Sequence, residues 1–335
     1  MNKKIVSLVL LTILIFPLIT PNSVGVDKED NSLFERKPLI KVAIIRQYWD
    51  PLDVLFTAKL SNLMHKICIR KAQLDYKVRF RIYEFWDNWL FGDVQSGMLQ
   101  LRDIDIVIAP GGVGSFNTPF LYRFQLKRFI RSGGGFYGIC GDSTFGSMGI
   151  KNMRWQYNPL ISRLLGYESF SPMLKLANVY TDASAFRDMI KYPIFFNRLN
   201  VLKFLYELPQ SRSTIHFEDC DIPIQKPYEG QDMVTMLGNA PFVDGSILKR
   251  LFMNKVYTIA TIKTADKPYG NRITGKKAII ATEYGRGKVV LSCIHSQLTL
   301  GGTNDIHDVY ARNLLWVAGE LEGSERLSYK LKKLT

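Results

Sequence analysis

A run of glycines that ends on a cysteine constrains this chain more than any other feature. Residues 132–142 read Ser-Gly-Gly-Gly-Phe-Tyr-Gly-Ile-Cys-Gly-Asp, and a helical pattern follows. A buried strand running through Gly138-Ile139-Cys140-Gly141 into a helix puts Cys140 on a sharp turn. Flanking glycine relieves the steric cost of so strained a backbone. At a helix N-terminus the dipole favours thiolate over thiol. The N–H of Gly141 points into the same space. Upstream, Asp105-Ile-Val-Ile-Ala-Pro-Gly-Gly112 ends a neighbouring strand on two glycines, and Gly111 or Gly112 supplies a second N–H. Two such donors make an oxyanion pocket. All of this lies at the carboxyl ends of strands, where open α/β sheets bind ligands.

The pattern around this turn is α/β. Residues 39–45 form a short β-rich apolar run suited to a strand buried on both faces, and residues 77–85 and 104–109 read as further strands. Helical spacing of apolar residues appears over 52–66 and 119–131, then again from 142 to 148. Strands alternating with helices imply βαβ units and a mostly parallel central sheet with helices on both faces, a flavodoxin-like three-layer sandwich. Residues 151–212 are mostly helical in pattern, clearest at 160–165 and 183–205, and read as an insertion. Short strands return at 214–217, 233–237, 256–262, 278–283 and 288–294, before a closing helix at 305–319. No internal repeat or low-complexity linker interrupts residues 38–322, so one domain with an insertion is the economical organisation.

The first 25 residues read differently. Lys3 and Lys4 precede an apolar run over 5–19 broken only by Ser7, Thr12 and Pro17, and Ser23 and Gly25 stand where a signal peptidase cuts. That is the pattern of a secretory signal, with an uncleaved membrane anchor as the alternative. Either places the protein outside the cytosol, secreted or tethered to the outer face of the membrane. A polar leader over 26–37 and a basic tail over 323–335 flank the domain. The formal net charge is +14, and removal of Lys3 and Lys4 with residues 1–25 leaves +12. Such a balance favours anionic membrane or wall surfaces, although the basic residues are scattered along the chain. No motif supports nucleic-acid binding. The four cysteines, Cys68, Cys140, Cys220 and Cys293, contain no CxxC pair, which argues against a metal site; an oxidising compartment would permit a disulfide among the other three.

The Pro-Gly-Gly strand end, the Gly-Gly-Gly-x-x-Gly-Ile-Cys-Gly turn and the late Gly-Arg-Gly-Lys-Val-Val-Leu-Ser-x-x-His resemble the class I glutamine amidotransferase-like superfamily. Within it the chain looks most like the domain at the N-terminus of some biotin–protein ligases. The resemblance covers roughly 39–150 and 213–320. It implies Cys140 as nucleophile, His295 as its base, and Gly112 and Gly141 as the oxyanion hole, with no cofactor. Two positions depart from the family. Its closing His-Pro-Glu is here His295-Ser296-Gln297, and Gln297 can orient an imidazole but cannot stabilise imidazolium by charge. Asp142 replaces a small residue in the first helical turn, where its charge would raise the thiol pKa or else complement the helix end.

Two readings of function follow. One is a cysteine-dependent hydrolase of amide or peptide C–N bonds built on Cys140 and His295. The other is an inactive module that binds a small ligand or an envelope partner through the same cleft, lined by Gly111 and Asp142. Residues 270–276 match phosphate-loop spacing, but Lys277 replaces the required Ser/Thr and strands flank the segment, so it reads as a hairpin loop. Tyr83, Phe85, Trp86, Trp89 and Phe91 read as core or pocket wall, and His307 as a surface residue at a helix start.

Overall fold

The computed structural model describes residues 38–48, 50, 53, 56–112, 118–151, 173–182, 212–266, 270–299 and 305–321. The expected signal segment, leader and basic tail lie outside these residues, as do the two clearest helical runs of the insertion, 160–165 and 183–205. The described piece of the insertion, 173–182, is extended and ends in a strand. No described helix is long and apolar enough to cross a membrane.

Five strands set the frame. β1 (Leu39–Gln47), β2 (Arg79–Asp87), β3 (Ile106–Ala109) and β4 (Gly135–Ile139) pair in the spatial order β2-β1-β3-β4, all parallel. The fifth member comes from near the end of the chain: β12 (Gly287–Ser292) lies parallel to β4. This is the flavodoxin-like order, with its topological switch between β1 and β3. β3 and β4 are buried at every residue, as their unbroken apolar sequences require of strands covered on both faces.

Beyond β12 the sheet turns antiparallel. The strands β11 (Lys277–Tyr284), β10 (Tyr257–Ala265), β7 (Arg212–Phe217) and β8 (Asp232–Met236) continue it in that order. β11 and β12 are joined by a two-residue turn, with Tyr284 opposite Gly287 and Gly285 at φ 62°. That is the position at which a II′ hairpin needs glycine. Three short strands, β5 (Ile150–Lys151), β6 (Val179–Asp182) and β9 (Phe242–Asp244), attach at the side of β11. The phosphate-loop look-alike lies between β10 and β11 and includes a 3₁₀ turn at Gly270–Ile273, as a hairpin loop should.

Successive residues of β4 point to opposite faces. On one face Tyr137 meets α5 (Ile306–Val317), where its ring lies 5.4 Å from that of Tyr310 and Asn313 donates to its hydroxyl. α1 (Phe56–Asp75) packs beside α5 there. On the other face lie α3 (Phe120–Arg131), the short α2 (Met98–Leu101) against it, and α4 (Gly141–Gly146) below β4. The loops leaving β1, β3, β4 and β12 therefore meet at one end of the parallel half.

Candidate functional site

Cys140 stands at that end with φ 54° and ψ −127°. An L-residue held on the positive side of φ costs of order 1–3 kcal/mol and persists only where its surroundings enforce it. Here they do. Its N–H donates to the carbonyl of Ser292 at 3.0 Å. Its carbonyl accepts from the N–H of Ser143 (3.0 Å) and from the Asn239 side chain (2.6 Å). The next position cannot carry a side chain, because a Cβ on Gly141 would lie 1.8 Å from the carbonyl oxygen of Gly112. The turn and the β3 end are thus in direct contact, and the N–H groups of Gly141 and Gly112 both face the sulfur.

The thiol's own proton goes elsewhere. Cys140 Sγ donates to the carbonyl of Gly238, 3.2 Å away on the segment after β8. Burial pushes the thiol up to about 12, and the nearby carboxylates of Asp142 and Asp50 add to the rise. The two glycine N–H groups pull the other way and are outweighed. Asp142 also holds the turn together, since it accepts the Gly111 N–H at 2.9 Å and so ties the head of α4 to the end of β3. Asp50 is buried beside Gly112, where a Cβ would strike its carboxylate at 2.0 Å.

His295 follows β12 and is buried. Its Nδ1 lies 2.9 Å from Gln297 Nε2, so the expected pairing of imidazole and amide is present. With the amide donating, Nδ1 is an acceptor and the ring proton sits on Nε2. Rotating the amide by 180° would present its oxygen to an Nδ1–H, the tautomer that a base requires; that oxygen is now buried without a hydrogen-bond partner. Burial holds the imidazole down to about 4. Cys140 and His295 are not hydrogen-bonded to each other. Gly238 touches both, since a Cβ there would lie 1.8 Å from His295 Cδ2 while its carbonyl holds the thiol.

The structure therefore gathers Cys140, Gly111, Gly112, Gly141 and Asp142 into one cluster, with the His295–Gln297 pair across Gly238. Sequence reasoning misses Asp50, Gly238 and Asn239. In the sequence Asp50 is half of an Asp-Pro turn signal, and Gly238-Asn239 carries only the mark of a turn after a strand. Near the end of β1, Arg46 makes a buried ion pair with Asp53 (2.7 Å) and hydrogen-bonds Asn62 (2.8 Å). Burial pushes the Asp53 carboxyl up to about 7 against the pull of Arg46.

Other residues singled out in the sequence lie away from this cluster. All four cysteines are free thiols. His307 is half-buried, with Nδ1 3.6 Å from Cys68 Sγ, rather than on the surface. Phe85 is core, but Trp89 and Phe91 are exposed and line no core. Among the described residues no group of three or more His, Cys, Asp or Glu is placed to hold a metal ion.

No family model matches the sequence. No curated protein is significantly similar to it. Solved structures are similar at low identity. A ThuA-like protein from Parabacteroides merdae is 11% identical with a TM-score of 0.48, over 84% of this chain and 90% of that one. PurLQS from Thermotoga maritima is 12% identical with a TM-score of 0.42, over 84% and 99% of the two chains. A cold-adapted β-galactosidase from Rahnella sp. R3 is 12% identical with a TM-score of 0.44; the match takes in 83% of this chain but spans only 31% of the β-galactosidase.

Proposed function

We propose that this protein is an exported amidotransferase-like module that binds a small ligand at the Cys140 turn without thiolate chemistry. The observation that carries this reading is the bond from Cys140 Sγ to the Gly238 carbonyl at 3.2 Å. A nucleophile must hand its proton to a base, and here a backbone carbonyl that cannot accept a proton holds it. Burial, Asp142 and Asp50 all keep the thiol neutral, and burial keeps His295 a poor base. The N–H groups of Gly112 and Gly141 remain suited to a carbonyl or carboxyl oxygen of a ligand. Support for export is the sequence pattern of residues 1–25. Support for the biotin–protein ligase N-terminal type is the likeness of the Cys140 and His295 motifs.

The second reading, a cysteine-dependent hydrolase of C–N bonds, is favoured by the strained backbone of Cys140, which a passive turn does not need. Gly238 would withdraw, and the Gln297 amide would rotate to hold Nδ1–H. Sγ would then attack the acyl carbon while its proton passed to His295 Nε2 and on to the leaving nitrogen. Water would cleave the resulting thioester. Gln297 would orient the ring without the charge that a glutamate supplies.

A panel of N-acyl fluorogenic amides separates the two. The binding reading predicts no turnover above buffer by the wild type, and equal ligand-induced Tm shifts for wild type and Cys140→Ala. Turnover that disappears in Cys140→Ala would overturn it in favour of the hydrolase.

A further inference from the structure

Four large apolar side chains within six residues stand almost wholly in water. Ile247, Leu248, Leu251 and Phe252, on and beside the 3₁₀ turn Leu248–Leu251, are between 73% and 87% exposed. A soluble surface leaves single apolar residues exposed but rarely clusters them. The outer face of α3 repeats the arrangement: Phe120 is 73% exposed, its ring stacks on that of Phe124 at 6.2 Å, and Leu121 lies beside them.

Lysines link the two patches. Lys127 lies seven residues beyond Phe120 and three beyond Phe124, on the same face of α3. Lys249 lies between Leu248 and Leu251. The Lys175 segment lies between them: Asn178 donates to the Ser246 carbonyl at 3.0 Å, and Leu174 donates to the carbonyl of Phe145, whose ring stacks on Tyr122 of α3 at 6.4 Å. The Lys175 ammonium is held down first by burial and then by repulsion from Lys249 and Lys127. Among the described residues none of the three is ion-paired. Lys127 instead lies over the ring of Tyr284 at 5.4 Å. Ammonium groups left without an ion pair beside exposed apolar side chains complement an anionic surface.

We propose that the face carrying Ile247, Leu248, Leu251 and Phe252, with Phe120 and Phe124 and the lysines 127, 175 and 249, docks on anionic phospholipid bilayers. Apolar tips enter the headgroup–acyl boundary and ammonium groups meet lipid phosphates, the division of labour of interfacial segments. The formal net charge, +14 for the full chain and +12 without Lys3 and Lys4, acts in the same direction. Charge complementarity selects an anionic bilayer over a second copy of this chain, which would bring the same lysines against each other.

The experiment uses the full chain with Phe252→Trp as a reporter, read as the difference from the unsubstituted protein. Vesicles of phosphatidylcholine with about one-third phosphatidylglycerol should shift the added emission to the blue, and brominated acyl chains should quench it. Pure phosphatidylcholine should do neither at that site. In the same background K127Q/K175Q/K249Q should weaken binding roughly 100-fold at 0.1 M salt. An apolar N-terminal segment that inserts by itself would move protein onto vesicles but leave residue 252 in water. Water-like emission from position 252 on vesicle-bound protein would therefore overturn the proposal. So would salt-sensitive capture by a soluble polyanion with no preference for the anionic vesicles.

Discussion

At Cys140 the backbone, the sulfur and the neighbours give different signals, and the energies decide among them. A positive φ and two facing N–H groups are what a nucleophile turn provides, yet burial and two carboxylates outweigh them at the thiol. Gly238 is the residue that fixes the outcome, because its carbonyl accepts the thiol's hydrogen bond and its Cα side meets the His295 ring. Gly238→Ala should cost about 1–3 kcal/mol through forced overpacking, seen as a Tm lowered by several degrees; an unchanged Tm would mean that the ring has room to move. The cysteine and its neighbours Gly111, Gly112, Gly141 and Asp142 are legible in the sequence as a glycine-rich turn between strand and helix, whereas the His295–Gln297 pair is legible only through the resemblance of its motif. Gly238 is not, since a backbone carbonyl contributed by a remote segment leaves no mark in a sequence.

At the scale of elements, the long strands and helices of the parallel half lie within a few residues of where periodicity puts them, except that the helix expected over 52–66 runs from Phe56 on to Asp75. β5, β6 and β9 are invisible to that reading because two to four residues cannot show an alternation. What periodicity cannot show is the polar bond between elements. Arg46 closes β1 and Asp53 and Asn62 receive it, all buried. Removing one member of a buried ion pair costs far more than the pair contributes. Asp53→Asn should therefore lower stability by about 3 kcal/mol in urea unfolding, whereas Arg46→Met with Asp53→Leu should cost less than that. Equal losses for the single and the double variants would show that the pair is not coupled.

For the whole molecule, buried titratable groups of opposite sign make the pH profile informative only by difference. His295 is held down to about 4 in the fold against 6.5 unfolded. Between those values the unfolded chain takes a proton that the fold refuses, so this histidine's contribution is lost as pH falls from about 6.5 to 4. The carboxyls of Asp53 and Asp87, pushed up to about 7 and about 6 by burial, act oppositely, since the fold binds their protons more tightly. The total profile is accordingly shallow. The stability difference between wild type and His295→Gln should change by about 1.4 kcal/mol per pH unit over that window, with the wild type losing ground as acid is added. A difference independent of pH would mean that His295 titrates normally in the fold.

The state of the Cys140 thiol decides between a binding module and a hydrolase, and alkylation reads it directly. The rate of iodoacetamide addition to the Cys140 peptide, followed by mass spectrometry from pH 5 to 10, reports the thiol's midpoint whatever its access. A thiol held neutral by burial, Asp142 and Asp50 predicts a rate still rising at pH 10. A plateau reached by pH 7.5 would contradict it and establish a thiolate at the head of α4.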